Sequence, residues 1–345
     1  GAHRVKGLLD QGKTQIICLV RNGDKKRLED VLAWYFGAGW TAGIRSRIRV
    51  AAGDLSLPCL GMEEREWKAL ADEVDGIYHS AADVRHYAAD AGEFMNTNVT
   101  GTETMIALSL QADAVLHYIS TASISGDFLK DEPEKQMVFT EDDFYIGQNW
   151  EDNIYIRSKF LAEACIYKAM EEKGLNARVY RLGRITGRCT DHVFQRNPES
   201  NAAYLMMRAV RALGAITESM SLLPVDLTPV DWCAAAVAAL SGSDRTALHL
   251  LNPQPPSMKE VAQALVPDLV IVPDESYGTL LQERMNEENR DILAPLLDYY
   301  NRTGIGESRI QVDCSKTLET FKKEGFGWEI PPAARLIEGF SGLFT

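Results

Sequence analysis

The chain has 345 residues, 46% of them apolar and 25% charged, enough to bury a sizeable core in one large domain or two smaller ones. Its formal charge of −13 sets a repulsive field before any polyanion, so no nucleic acid is expected among its partners. Six cysteines without C-x-x-C or His-paired spacing, no apolar run of about 18 residues and no signal-like opening argue against a zinc site, a membrane span and secretion, and point to a cytoplasmic protein with reduced thiols.

In chain order, residues 5–9 and their flanks read as a helix, and the chain opens on Gly1-Ala2-His3. A dinucleotide-binding fold starts instead with a strand and a glycine-rich turn. Two readings stay open: Gly1 is an ordinary terminus, or it is the last glycine of a G-x-x-G-x-x-G loop whose strand lies upstream. Short apolar runs at 14–20, 47–52, 76–80, 115–120 and 178–185 then read as strands separated by helical stretches. That alternation predicts β-α-β units and an α/β fold, a Rossmann-type doubly wound parallel sheet covered on both faces. From residue 189 the rhythm turns mostly helical through 223 and again from 253 to the end, while 229–240 and 246–252 look like a return to the sheet. The expected division is a nucleotide-binding domain of 1–188 and 226–252 with a smaller, mostly helical substrate subdomain of 189–225 and 253–345.

In such sheets ligands bind beyond the carboxyl ends of the strands. There, Tyr155 is the one tyrosine of twelve with a lysine, Lys159, four residues on, a spacing that puts both on one helix face. A neighbouring ammonium and a positive nicotinamide would lower the phenol's pKa and fit it for acid-base work; a core-facing tyrosine beside a solvated lysine would show the same spacing. The run 115–120 leads into Ser120-Thr121-Ala122-Ser123-Ile124-Ser125-Gly126, where the Thr121 hydroxyl could meet a substrate carbonyl or merely serve a turn. After the run 14–20 come Arg21 and then Arg27, where an acidic residue would favour NAD and arginine accommodates the 2′-phosphate of NADP. Asp54 and Leu55 follow the next run, with a carboxylate for the adenine amino group, and Ser80, Ala81 and Ala82 follow the one after, small enough for close backbone approach. His86, His117 and His192 find no place in this chemistry and are expected to be structural or exposed.

Taken together, Cys18-Leu19-Val20-Arg21, Gly53-Asp54-Leu55-Ser56-Leu57-Pro58, Tyr78-His79-Ser80-Ala81-Ala82, Asn98-Val99-Thr100-Gly101-Thr102, Ser120-Thr121, Tyr155/Lys159, Arg181-Leu182-Gly183-Arg184-Ile185-Thr186-Gly187 and Thr228-Pro229-Val230-Asp231 resemble the thioester reductase domains that terminate nonribosomal peptide synthetases. These belong to the extended short-chain dehydrogenase/reductase superfamily, and the same motifs occur in the reductase domains of carboxylic acid reductases and of aminoadipate reductase. The resemblance covers most of residues 1–252. Ser80 and Ala81 depart from a common Asn-Gly, Leu182 from a common proline, and the opening glycine pattern survives only as Gly1-Ala2-His3.

The resemblance implies an NADPH-dependent enzyme that releases a peptidyl or acyl chain, held as a thioester on the phosphopantetheine arm of a carrier protein domain, as an aldehyde or, after a second reduction, an alcohol. It implies Thr121, Tyr155 and Lys159 as catalytic residues and adds Leu182, Gly183 and Arg184 to the cofactor-facing set. The C-terminal segments would then form the substrate cleft, with the residues after Arg184 and the loop 191–201 lining it, and part of the carrier-docking surface. Two other readings remain: an extended short-chain enzyme acting on a free nucleotide sugar or steroid, which would share the fold, Tyr155 and Lys159, and a non-catalytic NADP-binding sensor that uses the fold alone.

Overall fold

The structure is a computed structural model that describes residues 1–10, 12, 15–84, 91–303, 308–327 and 331–344. Its strands are β1 (Ile16–Val20), β2 (Ile48–Ala52), β3 (Gly76–His79), β4 (Val115–Thr121), β5 (Met137–Phe139), β6 (Ala177–Leu182), β7 (Ile185–Thr186), β8 (Ala215–Thr217), β9 (Thr228–Pro229), β10 (Ala247–Leu250), β11 (Val270–Val272) and β12 (Ile310–Val312). The central sheet runs β10-β6-β4-β3 and all its ladders are parallel. β1 and β2 form a second parallel pair. The two groups are bridged by the helix Ala2–Asp10, whose Arg4 guanidinium lies 4.2 Å from the ring centre of Tyr78 on β3 and whose His3 ring meets Tyr35 and Phe36 on the helix that follows β1.

Both faces of the central sheet are covered, and the period-two alternation of side chains shows how. Ile77, Tyr118 and Val179 pack with Trp67, Ile106 and Ile166 from the helices Glu64–Ala71, Gly101–Ala112 and Ile154–Lys173. Their neighbours Tyr78, Ile119 and Tyr180 pack on the opposite face with Ala236, Val237 and Phe321 from the helices Val230–Ala239 and Ser315–Lys323. Each fully buried large apolar side chain contributes about 1.5–3 kcal/mol over an exposed one. The expected doubly wound parallel architecture is therefore present.

Two expectations are corrected. Residues 230–239 form a helix rather than sheet: the run Val230-Asp231-Trp232-Cys233-Ala234-Ala235-Ala236-Val237-Ala238-Ala239 is rich in alanine, the best helix former, and Pro229 supplies the fixed extended entry that ends at its first turn. The strand expected at 178–185 is broken after Leu182. The buried Asp226 carboxylate accepts the Arg184 N–H at 2.9 Å, and a Cβ added to Gly183 would fall 1.6 Å from its Oδ2, so only glycine permits this approach. β7 then leaves the central sheet to pair with β9.

The C-terminal part buries a separate apolar cluster. Helix Ala202–Leu213, capped by the Asn201 side chain and by Gly214 in the left-handed conformation, packs Met207 and Val210 against Val261 of helix Met258–Leu265, Leu281 of helix Asp274–Arg284 and Leu293 and Leu296 of helix Arg290–Thr303. Residues 310–326 go elsewhere: β12 pairs with β5, and Phe321 sits among Tyr180, Leu248 and Leu250 under the central sheet. Three-residue strands such as β5 and β12 are too short to show in an apolar pattern, so their partnership comes from the structure alone.

Candidate functional site

The carboxyl ends of β4 and β6 and the start of helix Ile154–Lys173 build one corner. Thr121 ends β4 directly opposite Leu182 of β6, which brings Leu182, Gly183 and Arg184 alongside it. The Thr121 hydroxyl accepts the Ser123 N–H at 3.2 Å and so starts the tight turn Ala122–Ser125. That turn closes at Gly126, with φ +62°, where an added Cβ would lie 2.5 Å from the Asn149 carbonyl oxygen. The helix begins immediately before Tyr155 because Asn153 caps it, accepting the Tyr155 and Ile156 N–H groups at 2.9 and 3.2 Å. Tyr155 and Thr121 are joined by a side-chain hydrogen bond.

Lys159 follows one turn later and is buried, 4% exposed. Its Nζ donates to the Ile119 carbonyl at 2.9 Å and to the Tyr118 hydroxyl at 3.3 Å. Desolvation lowers its pKa to about 8, against the opposing pull of the Glu163 carboxylate. For Tyr155 the expected depression is not what the protein alone produces. Burial pushes the phenol above its usual value, and the Thr121 hydrogen bond recovers part of that; two of the three Lys159 donors go to Ile119 and Tyr118. Tyr155 is accordingly a protonated donor at neutral pH.

The remaining expected cofactor residues sit at the neighbouring strand ends. Arg21, after β1, pairs with Asp54, after β2, at 3.1 Å, so the two residues assigned to different parts of a dinucleotide are bonded to each other. Asp54 also accepts the Ser56 N–H at 2.9 Å and its hydroxyl at 2.7 Å, which hold its carboxyl below the usual range. Arg27 stands apart, exposed on the first turn of helix Lys25–Phe36, with its N–H taken by Asp24 at 3.0 Å. Leu55 packs on Gly101 at the start of helix Gly101–Ala112. Ser80, Ala81 and Ala82 follow β3, and the Ser80 hydroxyl would lie 3.5 Å from a Cβ on Gly1, so the N-terminal end of helix Ala2–Asp10 faces that strand end with no side chain between. Small residues and a helix N-terminus at these strand ends, with Arg21 after β1, fit a dinucleotide with a phosphate-rich centre.

Three groups escaped the sequence reading. Asn98 lies in a π-helical turn, Asn96–Thr100, and holds the segment after β3 by accepting the Asp83 N–H at 2.7 Å and donating to its carbonyl at 2.9 Å, while also donating to the Ser158 hydroxyl. His79, buried and held neutral with a pKa of about 3 by desolvation and then by the Lys159 charge, bonds Thr102. Glu163 and Arg181 form a buried pair behind Lys159. The signals were there in part: Asn98 stands in a quoted motif, and Glu163 continues the four-residue spacing of Tyr155 and Lys159.

Of the other expectations, His117 is buried, stacked on Tyr78 and bonded to the Tyr180 hydroxyl at 3.0 Å, and His192 packs against Gly339. His86 lies outside the described residues. The loop 191–201 is tied to helix Lys25–Phe36: Arg188 donates to the Tyr35 carbonyl at 2.7 Å and the Arg196 N–H to the Tyr35 hydroxyl at 3.3 Å. Among the described residues no cluster of His, Cys, Asp and Glu could hold a metal, and no helix is long and apolar enough to cross a membrane.

Comparison with known proteins gives three lines of similarity. A family model for NAD-binding proteins, described as male sterility protein, matches residues 1–237. A linear gramicidin synthase polypeptide of Brevibacillus parabrevis is 28% identical over 274 residues, which is 77% of this chain but 5% of that protein, so the chain corresponds to a small part of this relative. Among solved structures, a thiolation-reductase di-domain from an archaeal non-ribosomal peptide synthetase superposes with a TM-score of 0.84 at 26% identity, covering 100% of this chain and 72% of that one. The reductase domain of the aureusimine biosynthetic cluster gives 0.81 at 26%, covering 100% and 88%.

Proposed function

The chain belongs to the male sterility protein family of NAD-binding proteins, and from that premise we propose that it is an NADPH-dependent reductase that releases carrier-bound acyl or peptidyl thioesters as aldehydes. One observation carries the reading: Thr121 and Tyr155 share a hydrogen bond at the strand ends, with the buried Lys159 one turn away. The reductase domains it resembles, and the synthetases that contain such relatives, support a thioester on a phosphopantetheine arm as substrate.

NADPH, when bound, would supply the hydride that reduces the thioester carbonyl carbon. The Thr121 and Tyr155 hydroxyls donate to the carbonyl oxygen as negative charge grows on it, and burial keeps Tyr155 protonated for that task. Collapse of the resulting hemithioacetal expels the pantetheine thiol and leaves the aldehyde; thioester, hydride and one proton account for both products. In a second reduction Tyr155 gives its proton to the aldehyde oxygen and yields the alcohol. Lys159 would hold the nicotinamide ribose, and Arg21 and Arg27 would take the 2′-phosphate, the exposed Arg27 directly and Arg21 while sharing Asp54. Segments 189–225 and 253–303 form the substrate side and the carrier-docking surface, whereas 310–326 pack with the central sheet.

The test is loss of NADPH absorbance with aminoacyl, dipeptidyl and octanoyl pantetheine thioesters, followed by mass spectrometry. Oxidation that requires the thioester and yields aldehyde or alcohol supports the reading. NADPH binding with no turnover on any thioester, carrier-bound ones included, overturns it.

A further inference from the structure

The helix Ile154–Lys173 carries Tyr155, Lys159 and Glu163 at successive four-residue steps, which puts all three on one face. Glu163 is fully buried, and its side chain is spoken for on every side. One oxygen accepts the hydroxyl of Ser120, the residue before Thr121; the other accepts Arg181 Nε at 3.1 Å and a terminal guanidinium nitrogen at 2.9 Å. Arg181, also fully buried, reaches it from the next-to-last position of β6. The guanidinium cannot drift, since it also donates to the Asp143 carbonyl at 2.8 Å and the Tyr167 hydroxyl at 3.2 Å, meets His249 of β10 at 3.1 Å and lies over the Phe139 ring. His249 is in turn held by the Asp313 carbonyl, and its N–H by Thr317.

A buried ammonium needs an opposing charge close by, because desolvating it alone costs several kcal/mol. Lys159 is met by His79 from β3, Tyr118 from β4 and Glu163 from its own helix; Tyr118 in turn meets Tyr155 and Cys165 of that helix and Thr102 of helix Gly101–Ala112, with Glu103 reaching Cys165 and Arg181 behind Glu163. His79 is neutral, and burial pushes Tyr118 and Cys165 up and keeps both protonated. Among the described groups that act on Lys159, Glu163 alone brings negative charge.

We propose that Glu163, clamped by Arg181 and Ser120, is a positioning residue for the reaction: its carboxylate keeps the buried Lys159 ammonium charged and aimed along the β4 edge, and Arg181 fixes the carboxylate in place. The proposal rests on the reading of Lys159 as a cofactor-holding cation. It makes the pair more than a packing device, since the carboxylate that joins the helix to β6 also sets the pH range in which Lys159 can work.

The experiment measures kcat/KM for NADPH against pH with an octanoyl pantetheine thioester, for the unaltered chain, Glu163→Gln, Glu163→Asp and the double variant Glu163→Gln/Arg181→Met. The double variant removes both buried charges, so no uncompensated guanidinium remains to unfold the chain. Activity requires the ammonium, so it falls as pH rises through the Lys159 pKa, near pH 8 in the unaltered chain. Removing the carboxylate should move this alkaline limb down by on the order of one pH unit in Glu163→Gln, where the Arg181 cation is left, and by less but in the same direction in the double variant, with Glu163→Asp closer to the unaltered chain than Glu163→Gln. A limb that stays in place while only the melting temperature drops assigns the pair a purely structural role and overturns the proposal. Titration of the Lys159 side-chain nitrogen by NMR, in protein labelled at lysine, reads the same shift without turnover. If no thioester is reduced, the functional reading fails, and an unmoved Lys159 titration in Glu163→Gln still decides against the proposal while a lowered one upholds it.

Discussion

The two halves of the molecule bury different things. Around the C-terminal helices the core is apolar, with Val210, Ile216, Val261, Leu281 and Leu296 all at 0% exposure and Thr217 and Ser221 among the few polar groups buried with them. Around the central sheet the same degree of burial is given to Lys159, Glu163, Arg181, His79, His117 and His249. Apolar burial is non-directional and tolerates volume-conserving exchange. The buried charges among them, Lys159, Glu163 and Arg181, are directional, and replacing a paired set by apolar groups often costs nothing, so their presence beside the Thr121–Tyr155 corner points to chemistry rather than to stability. Function in this chain is to be sought where the interior is polar.

The contrast can be broken at several points. The largest effect is expected for Tyr155→Phe, which should lower turnover by about 10²–10⁴-fold while NADPH affinity, followed by fluorescence titration, stays nearly the same; retained turnover would remove Tyr155 from the mechanism. Arg181→Met strips the buried Glu163 of its guanidinium partner, leaving it Ser120 and the Lys159 charge, and should cost about 3 kcal/mol in urea unfolding and reduce activity with it. Leu281→Ala, in the apolar half, should cost about 2–5 kcal/mol yet leave turnover per folded molecule unchanged, which separates the halves by function and not by stability. Arg27→Ala should weaken NADPH by roughly tenfold, the size of one charge-assisted hydrogen bond, and leave NADH unaffected; equal loss for both cofactors would dissociate Arg27 from the 2′-phosphate.

The smallest effect is a pH dependence. His79 is held at a pKa of about 3, and His117 and His249 at about 4, each mainly by desolvation. In the unfolded chain they titrate near pH 6.5, so below that the unfolded state binds protons that the folded state refuses. Stability present above pH ~6.5 is therefore lost as pH falls toward 4, by ~1 kcal/mol per pH unit for each histidine. His117→Gln, at a position outside the Thr121–Tyr155 corner, should make that slope shallower by one histidine's share in urea unfolding at several pH values.

Much of the sheet was legible because its signals are local. Runs such as Val115–Thr121 are short and apolar, and Tyr155 and Lys159 announce a shared helix face by spacing alone. The stretch after Pro229 was misread because an alanine-valine run is apolar all round and periodicity does not separate a buried helix from a buried strand. The Glu163–Arg181–His249 chain was invisible for a different reason. Its members stand 18 and 68 residues apart, on a helix and two strands whose register no local pattern specifies. The pairing of Arg21 with Asp54 likewise depends on β1 and β2 being neighbours, and the sequence offered each residue to a cofactor without showing that they meet.

The most direct test of the central claim is to supply NADPH deuterated at the transferable C4 position, together with an octanoyl pantetheine thioester, and to follow label by mass spectrometry. The expected result is one deuterium on the aldehyde carbon of the released product, appearing together with free pantetheine thiol and lost in Tyr155→Phe. Thiol released without a labelled aldehyde or alcohol would mean simple hydrolysis and would contradict the assignment of this chain as a reductase of thioesters.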